Sequence, residues 1–194
     1  CIFEPAGDCP ASHVANYHFK ADYEDEDALR AFAAAADVIT YEFENIPAAA
    51  LDLLGTLAPV RPGRRALKVS QDRLVEKAAL ADMGLATAPF AAIYEGFVAF
   101  SREVSVIAAR GLSGEVACFD PGENLHEGGI LRRTTVPARL SAAQRADAAL
   151  LAGRILNALD YVGVMGVELF VTERALIVNE IAPRVHNSGH WTQA

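Results

Sequence analysis

Two glutamates interrupt apolar segments close to each other in the last third of the chain. Glu168 lies within residues 167–171 and Glu180 within residues 177–181, and the rest of each segment has the composition of a buried strand. A charge inside a half-buried sheet costs several kcal/mol unless it is paired or ligates a cation. The pattern therefore indicates either a cation site or a pair of exposed carboxylates on edge strands.

The loop between these two strands decides whether the glutamates meet. If the loop is the three residues 173–175, Glu168 faces Glu180 with Cβ atoms roughly 4.5–5.5 Å apart. Two like charges that close repel, so either one stays protonated or a cation lies between them. A two-residue loop would place them on opposite faces of the sheet. Oxygen ligands beside Asn179 suit Mg²⁺, which is often held by one or two carboxylates and substrate phosphates.

The segment after the second strand is rich in hydrogen-bonding side chains. It contains Arg184, His186, Asn187, Ser188, His190 and Trp191. One interpretation is a solvated loop with a buried Trp. The other is a binding loop, because small and hydrogen-bonding residues beside a carboxylate pair suit an anionic, hydroxyl-rich ligand.

Several of these segments together resemble one enzyme family. Residues 179–184 (NEIAPR) and 186–191 (HNSGHW) resemble the signature of the 5-(carboxyamino)imidazole ribonucleotide synthetases, which are ATP-grasp ligases of purine biosynthesis. Residues 167–171 resemble that family's other magnesium-binding strand. Segments upstream resemble further parts of the family in the same order: residues 41–47, 71–77, 95–98, 102–106 and 124–131.

The resemblance implies a reaction, its cofactors and a set of site residues. ATP, bicarbonate and 5-aminoimidazole ribonucleotide would give the carboxyamino product through carboxyphosphate, with Mg²⁺ as the metal. Glu168 and Glu180 would be the metal ligands, and with Arg184 they would be catalytic. The implied ATP-binding residues are Arg73, Glu95, Gly96, Phe97, Val98, Glu103, His126, Asn179 and Glu180. The implied ribonucleotide-binding residues are Glu42, Glu44, Arg184, His186, Asn187 and Ser188.

Other interpretations stay open beside this one. Arg73 has a competing role on a helix surface, where Asp72 and Glu76 are possible ion-pair partners. Strand alternation puts Glu42 and Glu44 on the same face and does not choose between them. Alternative functions are another ATP-grasp ribonucleotide ligase, such as the formate-dependent glycinamide ribonucleotide transformylase, and a nucleotide-binding module without catalysis.

The elements that must position these residues form an α/β part followed by an α+β part. We expect an N-terminal parallel-sheet (pre-ATP-grasp) domain at residues 1–72, a remnant of a central subdomain with a hinge at 73–98, and the ATP-grasp core at 99–194. The resemblance implies that family members have a strand and a glycine-rich turn before the position of Cys1. It also implies that most of the central subdomain is missing at the Ile93–Tyr94 junction.

Local signals predict individual elements. They predict a strand at residues 37–41, a helix at residues 47–54 that stops at Gly55, and a helix at residues 71–83 that stops at Gly84. Residues 111–114 are typical of a hairpin turn, and residues 124–126 are predicted as a turn on the nucleotide side by resemblance. Ser141 and Gln144 form a capping-box pattern that opens a helix to about Leu159.

Composition excludes several classes of function. The formal charge is −8 and Lys and Arg form no sustained basic face, which argues against a nucleic-acid surface. The sequence has no apolar segment long enough to span a membrane. Its three cysteines form no C-x-x-C pair, so we expect small buried thiols and a reducing cytoplasm. The family resemblance suggests a homodimer.

Overall fold

A six-stranded sheet in the second half of the chain is the largest element of the fold. The computed structural model describes residues 1–91 and 94–193. The strands are β1 (Ile2–Phe3), β2 (His18–Phe19), β3 (Phe90–Ala91), β4 (Tyr94–Glu95), β5 (Arg102–Arg110), β6 (Val116–Cys118), β7 (Gly122–Glu127), β8 (Ile130–Thr135), β9 (Gly163–Val171) and β10 (Leu176–Ala182). The helices are α1 (Glu26–Ala34), α2 (Ala48–Leu57), α3 (Arg64–Ser70), α4 (Arg73–Asp82) and α5 (Ala142–Ala158), with 3₁₀ turns at Pro10–His13 and Asn187–Gln193.

The large sheet is antiparallel and has the order β10-β9-β5-β7-β8, with β6 also paired to β5. One of its faces packs on α5, whose buried residues include Ala152 and Ile155. Alternate strand residues such as Val104, Val106 and Val167 are fully buried on that side. The other face is therefore available for polar side chains.

The N-terminal part contains parallel pairings and three helices. β1 pairs with β2 in parallel, and Ile39 forms a single parallel bridge with Val60. The predicted strand at residues 37–41 is therefore reduced to this one bridge. The predicted order of an α/β part followed by an α+β part is confirmed, whereas the exact domain boundaries remain predictions.

Side-chain caps begin three of the helices. The Asp25 carboxylate accepts the Ala28 N–H at the start of α1. The Asp72 carboxylate accepts two N–H groups of α4, so that helix begins at Arg73 rather than at residue 71. The capping box predicted at Ser141 is present, with both reciprocal hydrogen bonds. These contacts satisfy N–H groups that a helix leaves without partners at its N-terminus.

One predicted helix stop and one predicted turn are wrong, and the other helix stop is confirmed. Gly55 lies inside α2 and does not end it. Gly84 follows α4 with a φ of +70°, the left-handed conformation expected at a helix end. Residues 124–126 lie within β7, and the chain turns instead at Gly128 and Gly129 before β8.

Two clusters of buried apolar residues hold the chain together, and α3 contributes to both. Ala66 and Val69 belong to the larger cluster, which lies between α5 and the large sheet. Leu67 belongs to the smaller cluster, which lies among α1, α2 and the N-terminal pairings. A short helix thus links the packing of the two parts.

Three further expectations concern the chain junction, the cysteines and membrane crossing. The predicted Ile93–Tyr94 junction involves Ile93, which lies outside the described residues. The three cysteines are free, but Cys1 is exposed and Cys9 and Cys118 are only half-buried, so the expectation of buried thiols is wrong. Among the described helices, none has both the length and the apolar character that crossing a membrane requires.

Candidate nucleotide and metal site

The loop between β9 and β10 is longer than predicted. Val171 pairs with Leu176, which leaves a four-residue loop, so neither the three-residue nor the two-residue loop considered from the sequence is present. The Thr172 N–H and hydroxyl both donate to the Ala175 carbonyl, at 3.0 and 2.7 Å. With a regular ladder this loop would place Asn179, not Glu180, opposite Glu168.

A β-bulge restores the predicted pairing of the glutamates. Val178 pairs with Leu169, but Glu180 pairs with Glu168, so Asn179 is the extra residue in β10. Residues two apart in a regular strand share a face. The bulge separates them: Val178 is fully buried in the larger core, whereas the Glu180 side chain is 45% exposed. The predicted face-to-face pair is confirmed, but it results from a bulge in β10 and not from a three-residue loop.

Polar residues continue from this pair across the neighbouring strands. Ser105 pairs with Glu168, and Glu103 pairs with Asn124. The Asn124 amide donates to the Ser105 hydroxyl at 2.5 Å, and His126 Nδ1 bonds to the Glu103 carboxylate. We call this surface the polar face. Its members are Glu103, Ser105, Asn124, His126, Glu168 and Glu180.

The electrostatics of the polar face favour a bound cation. Burial raises the pKa of Glu168, and the negative charge of Glu180 raises it further. A cation between the two carboxylates would oppose both effects, because it stabilises the ionised forms.

Arg73 lies over the same site and makes both of the contacts considered from sequence. Its guanidinium donates to Glu76 at 2.8 Å, which is the competing ion pair on the helix. It also donates to the Asn179 side chain at 2.9 Å and lies 3.7 Å from the Glu180 carboxylate. Glu95 forms a further ion pair with Arg73. The helix pair and the site contact thus exist together.

Two buried charged residues of α4 are absent from the predicted site. The Lys77 Nζ donates to the Asn179 carbonyl at 2.7 Å and lies 3.3 Å from the Val178 carbonyl. Glu76 accepts the Ile181 N–H at 2.6 Å. Both side chains are almost completely buried. The only signal in the sequence was their spacing of three and four residues from Arg73, which places them on its side of the helix.

Arg184 links the loop after β10 to the N-terminal part. Its guanidinium forms an ion pair with Glu44 at 3.0 Å. Glu42 is exposed and lines a neighbouring cavity of about 540 Å³, whose wall also includes Phe3, Tyr41 and Arg184. Glu44 thus pairs with Arg184 whereas Glu42 lines the cavity, a difference that strand alternation alone did not reveal.

His186 connects this loop to the glutamate pair. Its Nε2 lies 3.7 Å from Glu168, and its Nδ1 bonds to the Ser188 hydroxyl at 2.8 Å. Burial lowers the pKa of His186 to about 4, with the charge of Arg184 as the second cause, so the ring is neutral at pH 7. Asn187 bonds locally, accepting the Ser188 N–H at 2.8 Å.

The predicted hinge, residues 95–98, is only partly connected to the site. Glu95 reaches Arg73 and Lys77 through its carboxylate. The Gly96 N–H donates to the Pro89 carbonyl, and Phe97 is 93% exposed. Val98 is half-buried. Of these four residues, the structure therefore brings the side chain of Glu95 alone into contact with the charged residues beside the polar face.

The carboxylate pair fits a metal that shares its ligands with a nucleotide. Within residues 1–91 and 94–193, no group of three or more His, Cys, Asp or Glu side chains is placed to hold a metal ion. Glu168 and Glu180 supply two carboxylates. Mg²⁺ commonly takes one or two carboxylates and completes its shell with phosphate oxygens and water.

Comparison with known proteins gives the same family along the whole chain. Residues 1–71 match the ribonucleotide synthetase preATP-grasp domain, and residues 63–194 match the ATP-grasp domain. An N5-carboxyaminoimidazole ribonucleotide synthase from Brucella melitensis biotype 1 is 43% identical, over 100% of this chain and 69% of the relative.

Two solved structures share the fold closely. The N5-carboxyaminoimidazole ribonucleotide synthetase from Thermus thermophilus has a TM-score of 0.92 and 36% identity, over 98% of this chain and 66% of that chain. The N5-carboxyaminoimidazole synthetase from Staphylococcus aureus complexed with ADP has a TM-score of 0.89 and 31% identity, over 98% and 65%. The chain thus spans about two thirds of the length of these relatives.

The alignments also contain an internal difference in length. The alignment with the Brucella protein has 249 positions, 55 more than the 194 residues of this chain. The relative therefore has residues within the aligned region that have no counterpart here.

Proposed function

Because the chain belongs to the N5-carboxyaminoimidazole ribonucleotide synthase family of ATP-grasp proteins, we propose that it is an ATP-dependent carbon–nitrogen ligase. Its reaction would be the carboxylation of 5-aminoimidazole ribonucleotide with bicarbonate, in purine biosynthesis. The observation that carries the proposal is the facing pair Glu168 and Glu180 on the polar face. The ADP complex of the Staphylococcus aureus relative supports the binding of an adenine nucleotide by this chain.

The proposed reaction has two steps. A bicarbonate oxygen attacks the γ-phosphorus of ATP, and the bond to ADP breaks, which gives carboxyphosphate. The exocyclic amine of the ribonucleotide then attacks the carboxyl carbon, phosphate leaves, and the amine loses a proton. Phosphoryl transfer of this kind depends mainly on positioning and charge stabilisation.

Residues around the β10 bulge, drawn from several strands and from α4, would hold the nucleotide. Glu168 and Glu180 would hold Mg²⁺, which when bound neutralises charge on the ATP phosphates. Asn179 and Arg73 lie beside this pair, and Arg73 would contact the phosphates. The backbone of residues 95–98 would bind adenine. The Glu103 carboxylate, with His126 bonded to it, would accept hydrogen bonds from the ribose hydroxyls.

The loop after β10 would bind the ribonucleotide and the intermediate. Arg184 would pair with anionic groups, and Glu44 holds its guanidinium in place. Neutral His186 and Ser188 would orient the ligand by hydrogen bonds from the side next to Glu168. Glu42 and Asn187 would complete this side of the site. We also propose a cytoplasmic location, which the absence of a C-x-x-C pair favours, and a homodimer, which the family resemblance suggests.

Phosphate release by the purified protein tests the proposal. We expect release to require Mg·ATP, bicarbonate and 5-aminoimidazole ribonucleotide together. Glu180→Gln should lower the rate at least about 100-fold by removing a metal ligand. Its free energy of unfolding should change little, since the loss of the contact with Arg73 is offset by relief of repulsion with Glu168. Glu127→Gln, on an exposed side chain of the same sheet, is the matched control.

Two results would contradict the assignment. Near-normal turnover by Glu180→Gln would remove the metal role of that residue. Turnover that needs formate and glycinamide ribonucleotide, and not bicarbonate, would identify the transformylase instead.

A nucleotide-binding module without catalysis is the second candidate. The 55 alignment positions without a counterpart in this chain favour it. It predicts that the purified protein has an intact mass of 20.7 kDa and binds ADP without releasing phosphate. A larger intact mass would show that the purified protein contains residues besides these 194, and together with turnover it would favour the ligase.

A further inference from the structure

We propose that Lys77 and Glu76 are positioning residues that hold the β10 bulge, so that Glu180 faces Glu168. Neither residue would touch the nucleotide. They would act through the backbone of β10, by fixing which side chains point to the polar face and which to the core. The functional consequence rests on the proposed metal role of the two glutamates, whereas the structural claim does not.

The bulge needs partners for its backbone. An extra residue in a strand interrupts the ladder and leaves peptide groups unpaired. The Lys77 Nζ donates to the consecutive carbonyls of Val178 and Asn179, at 3.3 and 2.7 Å. A buried carbonyl without a hydrogen-bond donor destabilises the folded state. β10 is the end strand of the sheet, and at its outer edge Val178 also forms a bridge with Thr87. The ammonium therefore binds the two consecutive carbonyls at the bulge, on the edge that β9 does not cover.

Glu76 holds the strand on the other side of Glu180. One of its carboxylate oxygens accepts the Ile181 N–H at 2.6 Å, and the other bonds to Arg73. Ile181 is 2% exposed and returns to the core directly after the bulge. Adjacent residues of α4 thus bind the backbone immediately before and after Glu180.

The alternative is that Lys77 binds the phosphates directly, and the geometry argues against it. A lysine ammonium has three N–H donors. Three acceptors surround Nζ: the two carbonyls and the Glu95 carboxylate at 3.2 Å. The side chain is fully buried. All donor positions are therefore used inside the protein.

The first experiment compares Lys77→Met with Lys68→Met. Met keeps most of the side-chain volume and removes the charge, and Lys68 is an exposed lysine on α3. We expect Mn²⁺, used as the probe in the presence of ADP, to bind about 10- to 100-fold more weakly to Lys77→Met. Lys68→Met should bind it like the unmodified chain.

Hydrogen exchange separates positioning from general loss of stability. In Lys77→Met, the amides of β10 should exchange faster than in the unmodified chain, whereas those of α5 should keep their protection. Equal acceleration in both elements would reduce Lys77 to an ordinary buried residue and overturn the proposal. Unchanged Mn²⁺ binding and unchanged β10 exchange would also overturn it.

A milder variant keeps the test decisive if Lys77→Met does not fold. Lys77→Gln retains N–H donors for the two carbonyls without the charge, so it should fold and bind Mn²⁺ between the unmodified chain and the Met variant. Loss of β10 protection equal to that of α5 in this variant would overturn the proposal. If the unmodified chain binds no Mn²⁺ with ADP, the metal role fails, and exchange in β10 alone decides the positioning claim.

Discussion

At the scale of single residues, charge controls both the polar face and its surroundings. Glu168 is destabilised in its ionised form by burial and by Glu180, whereas Glu123 is in the opposite situation. The Glu123 carboxylate accepts hydrogen bonds from the side chain and the backbone N–H of Arg139, and Arg102 lies 3.7 Å away. The pKa values of two carboxylates that lie two strands apart in one sheet are thus shifted in opposite directions.

The Glu123 contact predicts a specific dependence of stability on pH. Hydrogen bonding by Arg139 lowers the pKa of Glu123 from 4.5 to about 2. The unfolded chain therefore binds the proton first, so this contribution is full above about pH 4.5 and disappears as the pH falls to about 2.

We expect Arg139→Met to lower the free energy of unfolding at pH 7, with the difference from the unmodified chain shrinking between about pH 4.5 and 2. Urea unfolding at several pH values measures this, with exposed Arg132→Met as the control. A difference that stays constant down to about pH 2 would refute the assignment.

At the scale of helices and strands, two glycines that look alike in sequence behave differently. Gly55 lies within α2, and a Cβ added there would meet no atom within 4 Å. Gly84 has a φ of +70°, a backbone conformation that residues other than glycine adopt at a cost in free energy. Gly55→Ala should raise the free energy of unfolding by about 0.5–1 kcal/mol, and Gly84→Ala should lower it by about 1–2 kcal/mol.

Urea unfolding of the two alanine variants, measured side by side, checks this pair. Each serves as the control for the other, since both replace one hydrogen by one methyl group. Equal effects of the same sign would show that the backbone conformations at the two positions do not differ as described.

Local signals were predictable from the sequence, and features that depend on distant partners were not. The capping box at Ser141 needs only residues three apart, so its pattern was sufficient. The strand at residues 37–41 needs partners elsewhere and forms only the bridge at Ile39. The bulge at Asn179 places Val178 in the core and Glu180 on the polar face, but it depends on the pairing with β9 and on contacts from α4, which the sequence of β10 alone does not show.

The site was predicted best where the family signature covers it. Glu168, Glu180 and Arg184 were identified from their segments, and the structure brings the two glutamates together. Lys77 and Glu76 were missed, because charged residues on a helix are normally solvated. Their burial follows from the packing of α4 against β10, which spacing within the helix does not show.

At the scale of the whole molecule, α3 joins the two parts. Leu67 is buried in the smaller core, while Ala66 and Val69 are buried in the larger one. Because one helix belongs to both cores, loss of either core removes packing from the other. We therefore expect the unmodified chain to unfold in a single calorimetric transition.

Leu67→Ala tests this coupling. The substitution should cost about 2–5 kcal/mol and produce an earlier transition from the N-terminal part, because α3 loses its anchor in the smaller core. Lys68→Ala, at the exposed neighbouring position, should leave a single transition. Two separate transitions in the unmodified chain would show that the parts unfold independently.

The extra residue of β10 also affects how the gene can change. Substitutions along the strand alter one side chain at a time, and most leave the others where they are. An in-frame deletion of the Asn179 codon would instead remove the extra residue: the ladder would become regular, with Val178 still opposite Leu169 and Glu180 still opposite Glu168, and the contact of Arg73 with the Asn179 side chain would be lost. Loss of the Asn179 codon therefore keeps both faces of the strand, whereas loss of the neighbouring Glu180 codon would leave Asn179 opposite Glu168 and remove one of the two facing carboxylates.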